Sequence, residues 1–194
     1  GVNDGHLIEI GARPNTGKTS FHASLIASPG GFAQQGANCI VLCNEEGYHR
    51  VGARYLTAAT GMTMQEIKNN PAKARELYEP VKNRIKIKDA TGRDMNWVES
   101  VCKSYKPDIL VLDMGDKFQT AGGFSRPDEA LKACAIHARQ IAKTCDCAVF
   151  YMSQLSAEAE GRSQLNQSMM EGSRTGKAAE ADLMILIGKS PTVE

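Results

Sequence analysis

The stretch Ala12-Arg13-Pro14-Asn15-Thr16-Gly17-Lys18-Thr19 decides how this chain folds, because it has the form of a phosphate-binding loop. Its pattern is A-x-x-x-x-G-K-T, with Ala12 in the place of the first glycine of a Walker A motif. An apolar run at 6–11 precedes it, and a helical pattern follows from Ser20. Strand, loop and helix in this order predict a turn whose backbone N–H groups surround a phosphate at a helix N-terminus.

The residue types in this loop match the parts of a nucleoside triphosphate. Gly17 lets the backbone approach the phosphates, Lys18 can reach the β- and γ-phosphates, and the Thr19 hydroxyl can bind Mg²⁺. We therefore expect the chain to bind ATP, or another nucleoside triphosphate, together with Mg²⁺. The predicted nucleotide-binding residues are Ala12, Arg13, Pro14, Asn15, Thr16, Gly17, Lys18, Thr19 and Ser20.

The composition is typical of a globular domain. The chain has 194 residues, of which 42% are hydrophobic and 23% are charged, enough to bury a substantial core. The formal net charge of +1 gives no global basic field, although local patches can still bind nucleic acid. No apolar run is long enough to cross a bilayer, and none resembles a signal peptide. The six cysteines contain no C-x-x-C pair, which favours reduced core residues of a cytoplasmic protein.

The rest of the chain alternates between apolar runs and helical patterns. Strands are predicted at 39–43, 84–87, 109–113, 148–152 and 182–187. Helices are predicted at 20–34 with a break at 29–31, and at 48–60, 62–70, 71–82, 96–105 and 127–144. This alternation predicts a single α/β domain over 1–194, a P-loop fold with a mainly parallel central sheet and helices on both faces. Residues 156–172 show no periodicity and are predicted to form a long polar loop.

Acidic residues follow two of the predicted strands, at the carboxyl ends where parallel sheets bind ligands. Asp113 follows four apolar residues, as in a Walker B motif, and can hold Mg²⁺ beside Thr19. Glu45 and Glu46 follow another strand, where a carboxylate near the γ-phosphate can act as a general base toward water. We choose Glu45 as the catalytic base because it comes first after the strand, and Glu46 stays the alternative.

Two further polar features are candidates for function. Gln154 follows a third strand, where its amide can sense the γ-phosphate or simply bond to the strand end. The polar segment after it contains Arg162, Arg174 and Lys177, cations that suit the backbone of single-stranded DNA. It has no aromatic residue for base stacking, which argues against recognition of a DNA sequence.

These motifs together resemble the hexameric replicative DNA helicases of the DnaB type, including the helicase halves of phage primase-helicases. The segment 7–19 resembles the family's Walker A segment with its A-R-P start, and Ser153-Gln154-Leu155 resembles its S-Q-L segment, whose glutamine senses phosphate. Glu45 and Asp113 match the positions of the catalytic glutamate and the Walker B aspartate. The last core motif of the family is matched by Glu171-Gly172-Ser173 and Ala181-Asp182-Leu183.

The resemblance implies a RecA-like ATPase core in a six-membered ring that moves along single-stranded DNA in the cytoplasm of a bacterium or a phage-infected cell. A primase, or a primase domain, is an implied further partner. The pair Glu45-Glu46 looks more like the phage members than the bacterial ones. The family's arginine finger lies beyond the last predicted strand, and no residue here can be assigned to it. We therefore expect a fragment of a longer polypeptide, which by itself hexamerises weakly and has low ATPase activity.

Three other functions compete with this interpretation. A RecA-like recombinase or repair ATPase shares the fold and the glutamate, but forms filaments on DNA. A small-molecule kinase needs an acceptor pocket and an arginine-rich lid, for which 123–126 is too short. An ATP-regulated loader binds nucleotide without turnover, which the presence of Lys18, Glu45 and Asp113 disfavours.

Overall fold

A six-stranded β-sheet forms the centre of the protein. The computed structural model describes residues 3–171, 176–177 and 179–189. The strands are β1 Leu7–Ala12, β2 Cys39–Cys43, β3 Ile85–Asp89, β4 Ile109–Asp113, β5 Ala148–Gln154 and β6 Leu183–Ile187. They lie in the order β3-β2-β4-β5-β1-β6, and all five strand pairs are parallel. The predicted α/β fold with a parallel sheet is confirmed.

In the part of the chain that the structure describes, six α-helices connect the strands. They are α1 Lys18–Ala27, α2 Tyr48–Thr60, α3 Met64–Asn69, α4 Pro71–Tyr78, α5 Met95–Tyr105 and α6 Pro127–Cys145. The largest difference from the prediction is at α1, which does not resume after Pro29. Ser28 is extended, as expected before a proline, and the N–H groups of Phe32 and Ala33 donate back to the last turn of the helix. In the described ranges no helix is long and apolar enough to cross a membrane.

Helices cover both faces of the sheet, so alternate strand residues enter two separate cores. Val41 and Val111 pack under α1 and α2, whereas Ile40 and Leu110 pack under α5 and α6. The six cysteines are free, and five of them are buried. Burial raises the pKa of Cys39 to about 12, as expected for an inert core thiol.

The parallel arrangement brings the carboxyl ends of the strands to one edge of the sheet. β1 and β5 are aligned so that Ala12 lies opposite Gln154. β2 and β4 are aligned so that Cys43 lies opposite Asp113. The phosphate loop, the two candidate glutamates and the Walker B carboxylate therefore all begin at this edge.

The segment after β5 is more ordered than the predicted polar loop. Two short 3₁₀ turns, Ala157–Ala159 and Gln167–Met169, occur within it. Leu155 and Met170 form an antiparallel bridge, and both are fully or almost fully buried. The segment 156–171 is thus a loop without a regular helix or strand, as predicted, but its few apolar side chains form a small core of their own.

Candidate nucleotide-binding site

The loop between β1 and α1 has the backbone shape of a phosphate cradle. Gly17 precedes the helix in the left-handed conformation, with φ of 91°, which a residue with a Cβ rarely adopts. Asn15 also has a positive φ of 59°. The Thr16 hydroxyl donates to the Arg13 carbonyl oxygen at 2.6 Å and so closes the turn. The loop then leads directly into α1, whose first backbone N–H groups are available to an anion.

A cleft of about 700 Å³ opens above this loop. One wall is formed by Arg13, Pro14, Asn15, Gly17, Lys18, Thr19 and Ser20, and the other by Glu45, Glu46, Gly47, His49, Arg50 and Arg54. Two of the predicted binding residues are not in these walls. Ala12 is a fully buried strand residue, and Thr16 is turned onto the loop backbone. Both shape the loop, and the other seven predicted residues line the cleft.

Lys18 is folded inward at the base of the cleft. Its Nζ lies 2.6 Å from the sulfur of Met114 and 3.5 Å from the carbonyl oxygen of Ser153. Burial lowers the pKa of Lys18, and the nearby carboxylates, Glu45 foremost, act in the opposite direction. Met114 is held in the left-handed region, with φ of 67°, although it is not a glycine. The ammonium group thus occupies a partly desolvated position that a phosphate would satisfy better than a thioether.

Asp113 at the end of β4 is buried without a hydrogen-bond partner. It is 1% exposed, and neither carboxylate oxygen has a hydrogen-bond partner among the residues that the structure describes. A buried carboxylate in this condition is costly unless a cation or a donor compensates it. Asp113 and the half-buried residue Thr19 offer hard oxygen ligands of the kind that suits Mg²⁺. The residues present therefore fit the implied metal ion.

The two candidate bases, Glu45 and Glu46, have different partners. Glu45 forms an ion pair with Lys117 at 2.9 Å, and its side chain remains 44% exposed. Both carboxylate oxygens of Glu46 accept from Arg54 of α2, at 3.0 and 3.2 Å. Arg54 also donates to Ser20 at 3.3 Å, so Glu46 is tied to a bridge between α2 and the loop. Glu45 is the more exposed carboxylate and the one that acts most strongly on Lys18.

Asp116 organises the end of β5 at the predicted sensor. Its carboxylate accepts from the backbone N–H of Gln154 at 3.1 Å and from the Ser153 hydroxyl at 3.4 Å. The same hydroxyl lies 2.9 Å from Glu9, a buried carboxyl whose pKa is raised by burial. Gln154 itself is half-buried at the strand end. The strand end is therefore fixed from below by acidic groups.

Comparison with known proteins identifies the family. A model of the DnaB-like helicase C-terminal domain matches residues 1–193. This chain belongs to the DnaB-like helicase C-terminal domain family. The family resemblance of the sequence is confirmed. No curated protein matches the chain by sequence.

Two solved structures show the same fold as this DnaB-like domain. A DnaB-like replicative helicase, described with its interactions with primase, superimposes with a TM-score of 0.81 at 21% identity, over 96% of this chain and 48% of that protein. A second structure, of an ATPase domain, superimposes with a TM-score of 0.81 at 20% identity, over 95% of this chain and 69% of that one. The chain thus spans about half the length of the first of these proteins.

The predicted DNA-contacting cations of the DnaB-like domain have different surroundings. Lys177 is 0% exposed, and its Nζ lies 2.5 Å from Asp116. The expectation that it contacts DNA is not met in this structure, because its charge is already neutralised inside the protein. Arg162 is exposed. Arg174 lies outside the described residues, as do 172–173 of the predicted last core motif.

Sequence reasoning missed several polar residues of the site. Asp116 and Lys117 follow the Walker B motif within four positions, and their opposite charges were a usable signal. His22 follows Lys18 by one helical turn, which places both on the buried face of α1. In the sequence, Asp182 stands out only as part of the last core motif. Its carboxylate accepts the N–H of Leu7 at 2.8 Å, so it joins β6 to β1 rather than serving the cleft.

Proposed function

We propose that this domain binds ATP with Mg²⁺ in the cleft and hydrolyses it as the motor of a replicative DNA helicase. The observation that carries the proposal is the buried carboxylate of Asp113, near Lys18, which accepts no hydrogen bond from the residues that the structure describes. A cation in a triphosphate complex would relieve the cost of burying that charge. Membership of the DnaB-like family supports the choice of helicase over other nucleotide hydrolases.

The chain's own groups would divide the work as follows. Thr19 and Asp113 hold the metal ion, which when bound neutralises charge on the phosphate oxygens. Lys18 leaves the sulfur of Met114 and binds the terminal phosphates. Glu45 takes the proton of the attacking water, while the bond between the γ-phosphorus and the bridging oxygen breaks to give ADP and phosphate. Gln154 reports the presence of the γ-phosphate from the end of β5.

The ion pair between Glu45 and Lys117 gives the proposed base two states, paired with the lysine and released from it. In the pair, the carboxylate is held in one place but its negative charge is balanced. Movement of Lys117 away from Glu45 would release the carboxylate for the attacking water. Lys117 lies four residues after Asp113, so a change at the metal ligand would be transmitted through one short 3₁₀ turn.

The activity of the whole protein is also part of the proposal. We infer that the full polypeptide acts in the cytoplasm as a hexamer on single-stranded DNA, with primase as a partner, as the first structural neighbour interacts with primase. The arginine finger would come from a residue not assigned here. The alternative is a RecA-like recombinase on the same fold. Electron microscopy of the full polypeptide with single-stranded DNA would separate closed rings from open filaments.

The hydrolytic role is tested by comparing Glu45→Gln with Glu46→Gln. In the full polypeptide, we expect Glu45→Gln to abolish ATP turnover stimulated by single-stranded DNA while it leaves binding of a fluorescent ATP analogue intact. Glu46→Gln is the matched control, because it changes a neighbouring carboxylate that is bound by Arg54. Loss of turnover in Glu46→Gln alone would show that the base is misassigned. Turnover that responds to a small acceptor and not to DNA would contradict the helicase motor.

A further inference from the structure

A buried histidine lies directly beneath the proposed metal ligand. His22 is 0% exposed and lies on α1, one turn after Lys18. Its Nδ1 is 2.9 Å from the hydroxyl oxygen of Tyr55 on α2, and its Nε2 is 3.6 Å from Oδ1 of Asp113. Tyr55 is also 0% exposed. Three elements, α1, α2 and β4, therefore each contribute one polar side chain to a contiguous buried row.

The polar row is surrounded by apolar side chains. Tyr55 belongs to the core between the sheet and α1 and α2, of which Val51 and Ile26 are also members. Packing alone does not require an imidazole at this place, because burying a polar ring costs free energy that an apolar side chain avoids. The two ring nitrogens of His22 face Tyr55 and Asp113, so the reason for an imidazole here lies in its interaction with those two groups.

The groups on the two sides of the His22 ring, Tyr55 and Asp113, favour one position for the hydrogen of the ring. Burial raises the pKa of Tyr55 well above its usual value, so its hydroxyl keeps its hydrogen and can donate it. When that hydroxyl donates to Nδ1, the hydrogen of the ring lies on Nε2. That N–H then faces Asp113. At 3.6 Å the contact is longer than a hydrogen bond, and an approach of about 0.5 Å would bring it into range.

We propose that His22, oriented by Tyr55, is a positioning residue that fixes the Walker B carboxylate of Asp113 for metal binding. A closer approach of the ring N–H would hold Oδ1 and leave Oδ2 for the cation. This role rests on the proposed function of the cleft. Groups that hydrogen-bond to a metal ligand commonly fix its orientation in this way. Loss of such a group costs about 10–100-fold in metal affinity.

The main test measures how nucleotide binding depends on Mg²⁺ concentration. We would titrate a fluorescent ATP analogue in EDTA and at increasing Mg²⁺, for the wild type, His22→Ala, His22→Gln and Tyr55→Phe. We expect His22→Ala to raise the half-saturating Mg²⁺ concentration by about tenfold, with unchanged nucleotide affinity in EDTA. His22→Gln should recover most of this loss, since its amide N–H can replace that of Nε2. Tyr55→Phe should lie between the two.

A second measurement does not depend on nucleotide binding. The ¹⁵N shifts of His22 in the NMR spectrum report the tautomer, and we expect the Nε2–H form in the wild type and a mixed population in Tyr55→Phe. An equal loss of nucleotide affinity with and without Mg²⁺, an unchanged Mg²⁺ midpoint, or an Nδ1–H tautomer in the wild type would overturn the proposal. If His22→Ala does not fold, the two conservative variants decide. A wild type that does not bind nucleotide would instead refute the proposed function.

Discussion

Replacing Lys177 with alanine should destabilise the fold rather than only weaken DNA binding. The ammonium is 0% exposed and pairs with Asp116, whose side chain is 11% exposed. Removal of one partner of a buried pair costs about 3–5 kcal/mol because the other charge stays buried. Asp116 would keep the Gln154 N–H and the Ser153 hydroxyl as donors, so we expect the lower end, about 3 kcal/mol. That is a large share of the free energy of unfolding of a typical protein, which is roughly 5–15 kcal/mol.

Urea unfolding followed by circular dichroism would measure this loss as a lower midpoint at constant slope. Adding Asp116→Asn should restore part of the stability, because it removes the charge that Lys177 balances. The exposed residue Arg162 provides the control, and Arg162→Ala should change the free energy of unfolding by less than about 0.5 kcal/mol. Suppose that Lys177→Ala unfolds like Arg162→Ala, and that it lowers the salt dependence of DNA binding. Lys177 would then face DNA, as the sequence suggested, and the structural argument would be refuted.

Three further perturbations address the site and its supports. Lys18→Ala should abolish binding of a fluorescent ATP analogue, and undiminished affinity would show that the phosphate loop is not the nucleotide site. Burial raises the pKa of Glu9, so its contribution to the free energy of unfolding is present at low pH and is lost as pH rises through that raised pKa. Glu9→Gln should flatten this decline when the free energy of unfolding is measured across pH. Gly115→Ala would place a Cβ 2.5 Å from the Tyr151 ring and should cost about 1–3 kcal/mol in thermal unfolding. The control Gly52→Ala, within α2, has room and should gain about 1 kcal/mol through helix propensity; equal effects would contradict the packing argument.

The elements of the fold that the sequence predicts correctly are those that depend on local sequence signals. β2 and α2 occur at the predicted residues, because an apolar run and a Gly61 stop are unambiguous local signals. The predicted start of α3 is two residues early, since the Thr63 capping box decides it. Its apolar spacing alone does not reveal that cap.

Residues of the candidate site were predictable from the sequence only where they belong to a recognisable motif. The phosphate loop, Asp113 and Glu45 carry such patterns, and the structure gathers them at one edge of the sheet. Lys177 could not be placed in this way, because a lysine in a polar segment is normally exposed and its burial depends on Asp116, 61 residues away. The same holds for His22, whose meaning depends on two other elements meeting it in space.

The alignment of β1 with β5 has a mechanical consequence. Gln154 lies beside Ala12, the carbonyl of Ala12 accepts the N–H of Leu155 at 3.1 Å, and Arg13 returns a bond to the Leu155 carbonyl at 2.9 Å. A pull on the segment beyond β5 is therefore directed lengthwise along two side-by-side strands. Force in that direction loads the rungs of the ladder together in shear, instead of opening them one after another. The nucleotide-binding loop after β1 and the segment after β5 would therefore bear strain together, as one stiff unit.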